Sequence, residues 1–198
     1  MKKSITMIAL AGIAFSASAQ DFSLSITAPT SISEGAVFTV DVIGDASVGT
    51  HMLGGGFSLV TTSGESIIQD IVWIPAQWSS FNTDNGYGGN GSHNGVIFGQ
   101  LVIPDIPGFD IPAPGSEIGS SVGSFQISIG SFNGVGRLDM NLVAADPFSL
   151  QVIDIATGDS FSSGDGNLTL NGLSIIIPAP SSLALLGLGG LAAGRRRR

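Results

Sequence analysis

Two histidines, His51 and His93, stand 42 positions apart, each in a glycine-rich stretch. A metal site would need both rings and a carboxylate brought to one point, and the spacing reads instead as two separate surface histidines. Gly119-Ser120-Ser121-Val122-Gly123 spells G-x-S-x-G. In hydrolases that pattern needs a strand-to-helix turn and a histidine later in the chain. Here no helical pattern follows and both histidines come earlier, so the letters carry no chemistry. Gly86-x-Gly88-x-x-Gly91 spells the dinucleotide fingerprint but lacks the helix whose N-terminus would hold a pyrophosphate. The absence of cysteine removes thiol catalysis and every thiolate metal site. Among fifteen acidic residues no pair stands out for acid–base work.

Two other groupings offer chemistry of a binding kind. Asn82 with Asp84, and Asp159 and Asp165 with Asn167, place hard oxygen ligands beside flexible glycines, as calcium requires. Neither completes a known calcium loop, and turns use the same residue types for their own backbone bonds. Trp73, Trp78 and Tyr87 are the large aromatics with a polar edge. Trp73 lies in an apolar run and belongs to a core. Trp78, followed by two serines, and Tyr87, in a polar loop, are the candidates for an exposed platform on which a sugar ring could stack.

The elements that must position these residues are strands. Phe22, Leu24 and Ile26 alternate with polar residues, as do Phe38, Val40 and Val42, then Leu138, Met140 and Leu142. Further short runs begin at Phe57 and cover 67–74, 96–103, 121–129 and 148–152, and Leu168, Leu170 and 173–177 close the series. Period-two alternation broken by Gly, Asn, Ser, Asp and Pro signals strands and turns. About nine such runs predict an all-β fold, an antiparallel β-sandwich. Residues 82–95 are nearly all turn formers and are expected as an exposed loop. Residues 104–116, with four prolines, are expected to cross the edge of the sandwich.

The two ends of the chain have a different character. Lys2 and Lys3, a mostly apolar stretch and Ala17-Ser18-Ala19 before Gln20 form a signal peptide over 1–19, with a short signal helix and a cut by signal peptidase after Ala19. Residues 183–194 are uncharged and run directly into Arg195, Arg196, Arg197 and Arg198. Twelve helical residues rise only ~18 Å, short of the roughly 20 residues a spanning helix uses. Four of the twelve are glycine, and Pro178 and Pro180 block extension of the helix toward the N-terminus. Terminal arginines resist translocation. The tail therefore reads as a stop-and-hold device on the inner membrane, with the domain outside.

Between these ends, 20–177 form one domain of ordinary size. Lys2, Lys3 and the four terminal arginines are six of the seven basic residues. The interval holds all fifteen acids against Arg137 alone, a net −14. Such a surface repels nucleic acid, which is excluded as a partner.

Pro178-Ala179-Pro180, the short apolar segment and the arginine cluster together resemble the PEP-CTERM sorting tail, over 178–198. Ala179 stands where that family usually carries Glu. The resemblance implies an exosortase-like protease that cuts near the proline motif, an outer-membraned bacterium and, often, an exopolysaccharide system. Residues 32–42 and 54–59 resemble the opening strands of cohesin-like sandwiches, which implies the fold alone. The resulting expectation is a non-enzymatic envelope or extracellular-matrix protein with a structural or adhesive role. The alternatives are a carbohydrate-binding module and a secreted hydrolase.

Overall fold

A computed structural model describes residues 20–104, 106–145 and 150–177. Twelve strands are described: β1 Asp21–Thr27, β2 Val37–Ala46, β3 His51–Ser63, β4 Ile68–Pro75, β5 Phe81–Thr83, β6 Ser92–Gly99, β7 Ser121–Ile129, β8 Arg137–Ala144, β9 Gln151–Ile153, β10 Ser160–Ser162, β11 Asn167–Asn171 and β12 Leu173–Ile176. One sheet has the order β11-β1-β2-β7-β4. In the second, the long strand β3 has β6 and then β5 on one side, while β9 and β8 share its other side at opposite ends. β10 extends β9 and β12 extends β8.

Alternation in the sequence becomes two-faced burial. Along β2, Phe38, Val40 and Val42 point inward while Thr39 and Asp41 face out. Phe22, Leu24 and Ile26 of β1, Phe125, Ile127 and Ile129 of β7, and Leu138, Met140 and Leu142 of β8 do the same. Burying a large apolar side chain contributes about 1.5–3 kcal/mol, so this shared inner layer fixes the register of both sheets. At its centre Phe57 meets Trp73 and Phe125 edge-on, with ring centroids 5.5 and 6.0 Å apart.

The close pairing of β7 with β4, its neighbour in the same sheet, depends on Gly123. Its φ is 148°, and a Cβ there would lie 2.4 Å from the Trp73 ring. Only a residue without a side chain lets β7 pass beneath that indole.

The sandwich departs from the sequence expectation in three ways. It is mixed rather than purely antiparallel, because β1 and β11 run parallel, with Asp21 opposite Asn167. It has more strands than the alternation suggested, because β5 and β10 are three-residue edge pieces too short to show a period and the closing run divides into β11 and β12. β3 also starts before its apolar run and threads Gly54, Gly55 and Gly56. Cross-strand pairing to β6 and β9 holds those glycines extended against their low intrinsic preference.

Residues 104–116 carry the chain from β6 in one sheet to β7 in the other, as the prolines suggested. The Gln100 side chain fastens this crossing: it donates to Met52 O at 2.7 Å and accepts from Ala113 N at 2.8 Å.

Candidate functional site

Each end of the described domain is tied into a sheet. Gln20 O accepts from Asn167 N at 2.8 Å, one residue before β1 begins. At the other end β12 pairs with β8, Ile176 opposite Arg137. Ile177 is 4% exposed, and its N–H donates to Gly136 O at 3.1 Å. The packed structure thus runs up to the residue before Pro178. The signal-cleavage residues Ala17 and Ala19, the proline motif Pro178-Ala179-Pro180 and Arg195 to Arg198 lie outside the described residues. Among the described residues no helix is long and apolar enough to cross a membrane.

The long loop is not the open segment its composition implied. β5 and β6 form a hairpin, Phe81 opposite Gly99, and the Tyr87–His93 bridge extends it into the loop. His93 is 2% exposed, which corrects its expected surface position. Its Nδ1 lies 3.0 Å from Ile71 O and its Nε2 3.0 Å from Asp84 Oδ1. The ring also packs on Phe125 at 5.3 Å. The same Asp84 oxygen accepts from Gly86 N at 2.8 Å. Asp84 therefore ties the loop to a buried ring, a role that neither residue's neighbours in sequence disclosed. A histidine facing inward from a strand, nine positions after an aspartate in a turn, was the one available sign.

Trp78 is corrected as well. It is 4% exposed, its Nε1–H donates to Ser121 O at 2.8 Å, and its ring meets Phe98 edge-on at 5.9 Å. It is a core residue and presents no sugar platform. Tyr87 is half-buried against the core, and its hydroxyl donates to Ile68 O at 3.1 Å. The two aromatics do not form an exposed row. Trp73 is buried as expected, and its Nε1 has no hydrogen-bond partner.

The proposed calcium ligands are dispersed. Asn82 and Ser79 bond each other, with Ser79 Oγ 2.6 Å from Asn82 Oδ1, while Asp84 turns to His93. Asn167 Nδ2 donates to Asp21 Oδ1 at 3.1 Å, across the β1–β11 pairing. Asp165 lies in a 3-10 turn after β10, and Asp159 lies before β10, with its backbone N–H bonded to Thr157 Oγ1 at 3.2 Å. Among the described residues no three His, Asp or Glu side chains gather in a metal-binding group. His51 lies on the surface side, 4.0 Å from Glu117. The G-x-S-x-G serine, Ser121, opens β7, and its Oγ bonds Gly123 O at 3.1 Å, so it sits in no strand-to-helix turn.

The described surface does carry one concave apolar feature, which the sequence did not indicate. A groove of about 440 Å³ lies on the β3–β6–β5 face, with the glycine backbone of Gly54 and Gly99 among its lining. Phe81 (61% exposed) and Leu101 (64% exposed) stand at it, with Ser80 and Gln151 nearby.

Residues 177–198 match the PEP-CTERM protein-sorting motif. The matched segment begins at Ile177, which is buried and is the last residue the structure describes. A motif of this kind marks a chain for export and membrane-associated sorting. No curated protein matches the chain by sequence. The fold is similar to the cohesin module of a family 33 glycoside hydrolase from Clostridium perfringens, at 11% identity over 79% of this chain and 96% of that one, TM-score 0.47. It is similar also to the second type II cohesin module of an adaptor scaffoldin from Acetivibrio cellulolyticus, at 8% identity over 79% and 96%, TM-score 0.49. The third cohesin of another scaffoldin from that organism matches at 14% identity over 81% and 99%, TM-score 0.48. At these identities the likeness concerns the fold alone. The chain is a β-sandwich bearing a C-terminal protein-sorting motif.

Proposed function

We propose that this is an exported bacterial envelope or matrix protein, whose β-sandwich is released from the inner membrane by an exosortase-like protease. The carrying observation is that the sorting motif covers 177–198, directly after β12, whose packing reaches the buried Ile177. A cut within 178–182 then separates the β-sandwich from a membrane-held remnant without breaking any described strand. Signal peptidase removes 1–19 in the same route. The role of the released domain is structural or adhesive and non-catalytic.

The sorting step is tested by replacing Arg195, Arg196, Arg197 and Arg198 with serine in the bacterial host. Without the stop signal, uncleaved precursor is expected in the medium, whereas the unaltered protein reaches the surface in shortened form. Identical processing and location for both proteins would overturn the reading.

Glycan binding in exopolysaccharide is the second reading, and it now rests on the groove rather than on Trp78. Phe81 offers an exposed ring beside Ser80 and Gln151, in a cleft within the size range of small-ligand sites. Retention of the protein on host exopolysaccharide, lost on Phe81→Ala, would support it. Equal retention of both proteins would dismiss this site.

A further inference from the structure

The chain contains five Asn-Gly steps, at Asn85, Asn90, Asn94, Asn133 and Asn171. Each is a point where a backbone amide nitrogen could attack the preceding side-chain carboxamide, because glycine leaves the approach open. The fold separates them sharply. Gly86 N–H is held by Asp84 Oδ1 at 2.8 Å, and Gly95 N–H by Ser58 Oγ at 3.0 Å. Gly91 N–H faces the Tyr87 hydroxyl at 3.4 Å, while Asn90 Oδ1 is occupied by Ser92 N–H at 3.2 Å. Asn171 is the last residue of β11, and Gly172 beyond it is pressed against Asn141 and the Met140 carbonyl.

Asn133-Gly134 alone combines freedom and access. It forms the centre of the turn between β7 and β8, closed by Val135 N–H to Phe132 O at 2.8 Å. Both residues have positive φ, 48° and 83°, as Asn-Gly does in a type I′ turn. Both are exposed. Neither the Asn133 carboxamide nor Gly134 N–H has a partner among the described residues, and a Cβ on Gly134 would meet open space.

We propose that Asn133 is a spontaneous modification site, the first of the five to deamidate in the folded protein. The Gly134 amide gives up its proton and its nitrogen attacks Asn133 Cγ. The new C–N bond forms, the Cγ–Nδ2 bond breaks, and ammonia leaves with the proton it needs. The resulting five-membered imide is opened by water at either carbonyl. One opening gives an aspartyl residue at position 133, the other an isoaspartyl residue with one extra methylene in the backbone. Both products add a negative charge, and the second lengthens a turn whose hydrogen bond spans only Phe132 to Val135.

The test uses mature protein recovered from the host, incubated at mildly alkaline pH and mapped by proteolysis and mass spectrometry. The peptide carrying position 133 is expected to gain about one mass unit and split into two isomers, ahead of the peptides carrying 85, 90, 94 and 171. A parallel digest incubated after unfolding sets the order when no fold protects any site, and there the lead of position 133 is expected to disappear. Earlier conversion at any of the other four sites in the folded protein would overturn the proposal. So would an unchanged position 133 over a time in which the unfolded digest converts, or the same order in both samples.

Discussion

Asp84 and His93 set the conformation of the β5–β6 loop through one hydrogen bond of 3.0 Å. Asp84→Ala leaves the buried Nε2 of His93 without its partner. Since an unmet buried polar group costs about 1–3 kcal/mol, the variant should unfold at lower denaturant with an unchanged slope. An unaltered midpoint in a urea titration would show that the bond contributes nothing. Gly123→Ala is expected to be at least as damaging, because its Cβ would overlap the Trp73 ring, and forced overpacking costs roughly 1–3 kcal/mol before backbone strain is added. Near-native stability there would mean that the indole has room to move. Neither position was legible beforehand. Histidine and tryptophan have the same letters whether they face in or out, and burial was decided for His93 by strand register and for Trp78 by the turn between β4 and β5, neither of which the flanking residues reveal.

The long alternating strands, β1, β2, β7 and β8, could be read from spacing alone, since each shows three or more inward apolar residues at period two. The edge pieces β5 and β10 and the glycine stretch of β3 could not, because their conformation comes from the strands they pair with. β12 matters most for function. It carries Ile175 and leads into Ile177, both buried, and it closes the sheet beside β8. A protein ending at Ile177 should therefore melt with the untruncated domain. One ending at Gly172 loses both isoleucines and the β8 pairing. At about 1.5–3 kcal/mol for each buried side chain, a substantial share of a domain's roughly 5–15 kcal/mol of stability is removed. Calorimetry of the two truncations checks this, and equal melting temperatures would show that β12 is dispensable and that the domain border lies earlier.

The exported interval carries −14 on 158 residues, with a single arginine paired to Asp139 at 2.7 Å. Self-repulsion of that size predicts a melting temperature that rises with sodium chloride, as screening shortens the range of the repulsion. Calcium at matched ionic strength should add nothing further, because Asn82, Asp84 and Asn167 bond separate partners and no three acidic or histidine side chains gather among the described residues. A calcium-specific rise would show that Asp159, Asp165 or Asn167 rearranges to gather a cation. The whole account turns on where the packed domain stops and the sorted tail begins. Intact-mass measurement of the mature protein from its bacterial host reads both borders at once. The account predicts a species that begins at Gln20, ends within 178–182 and lacks all four terminal arginines. A mature species that begins at Gln20 and still carries Arg195 to Arg198 would contradict it.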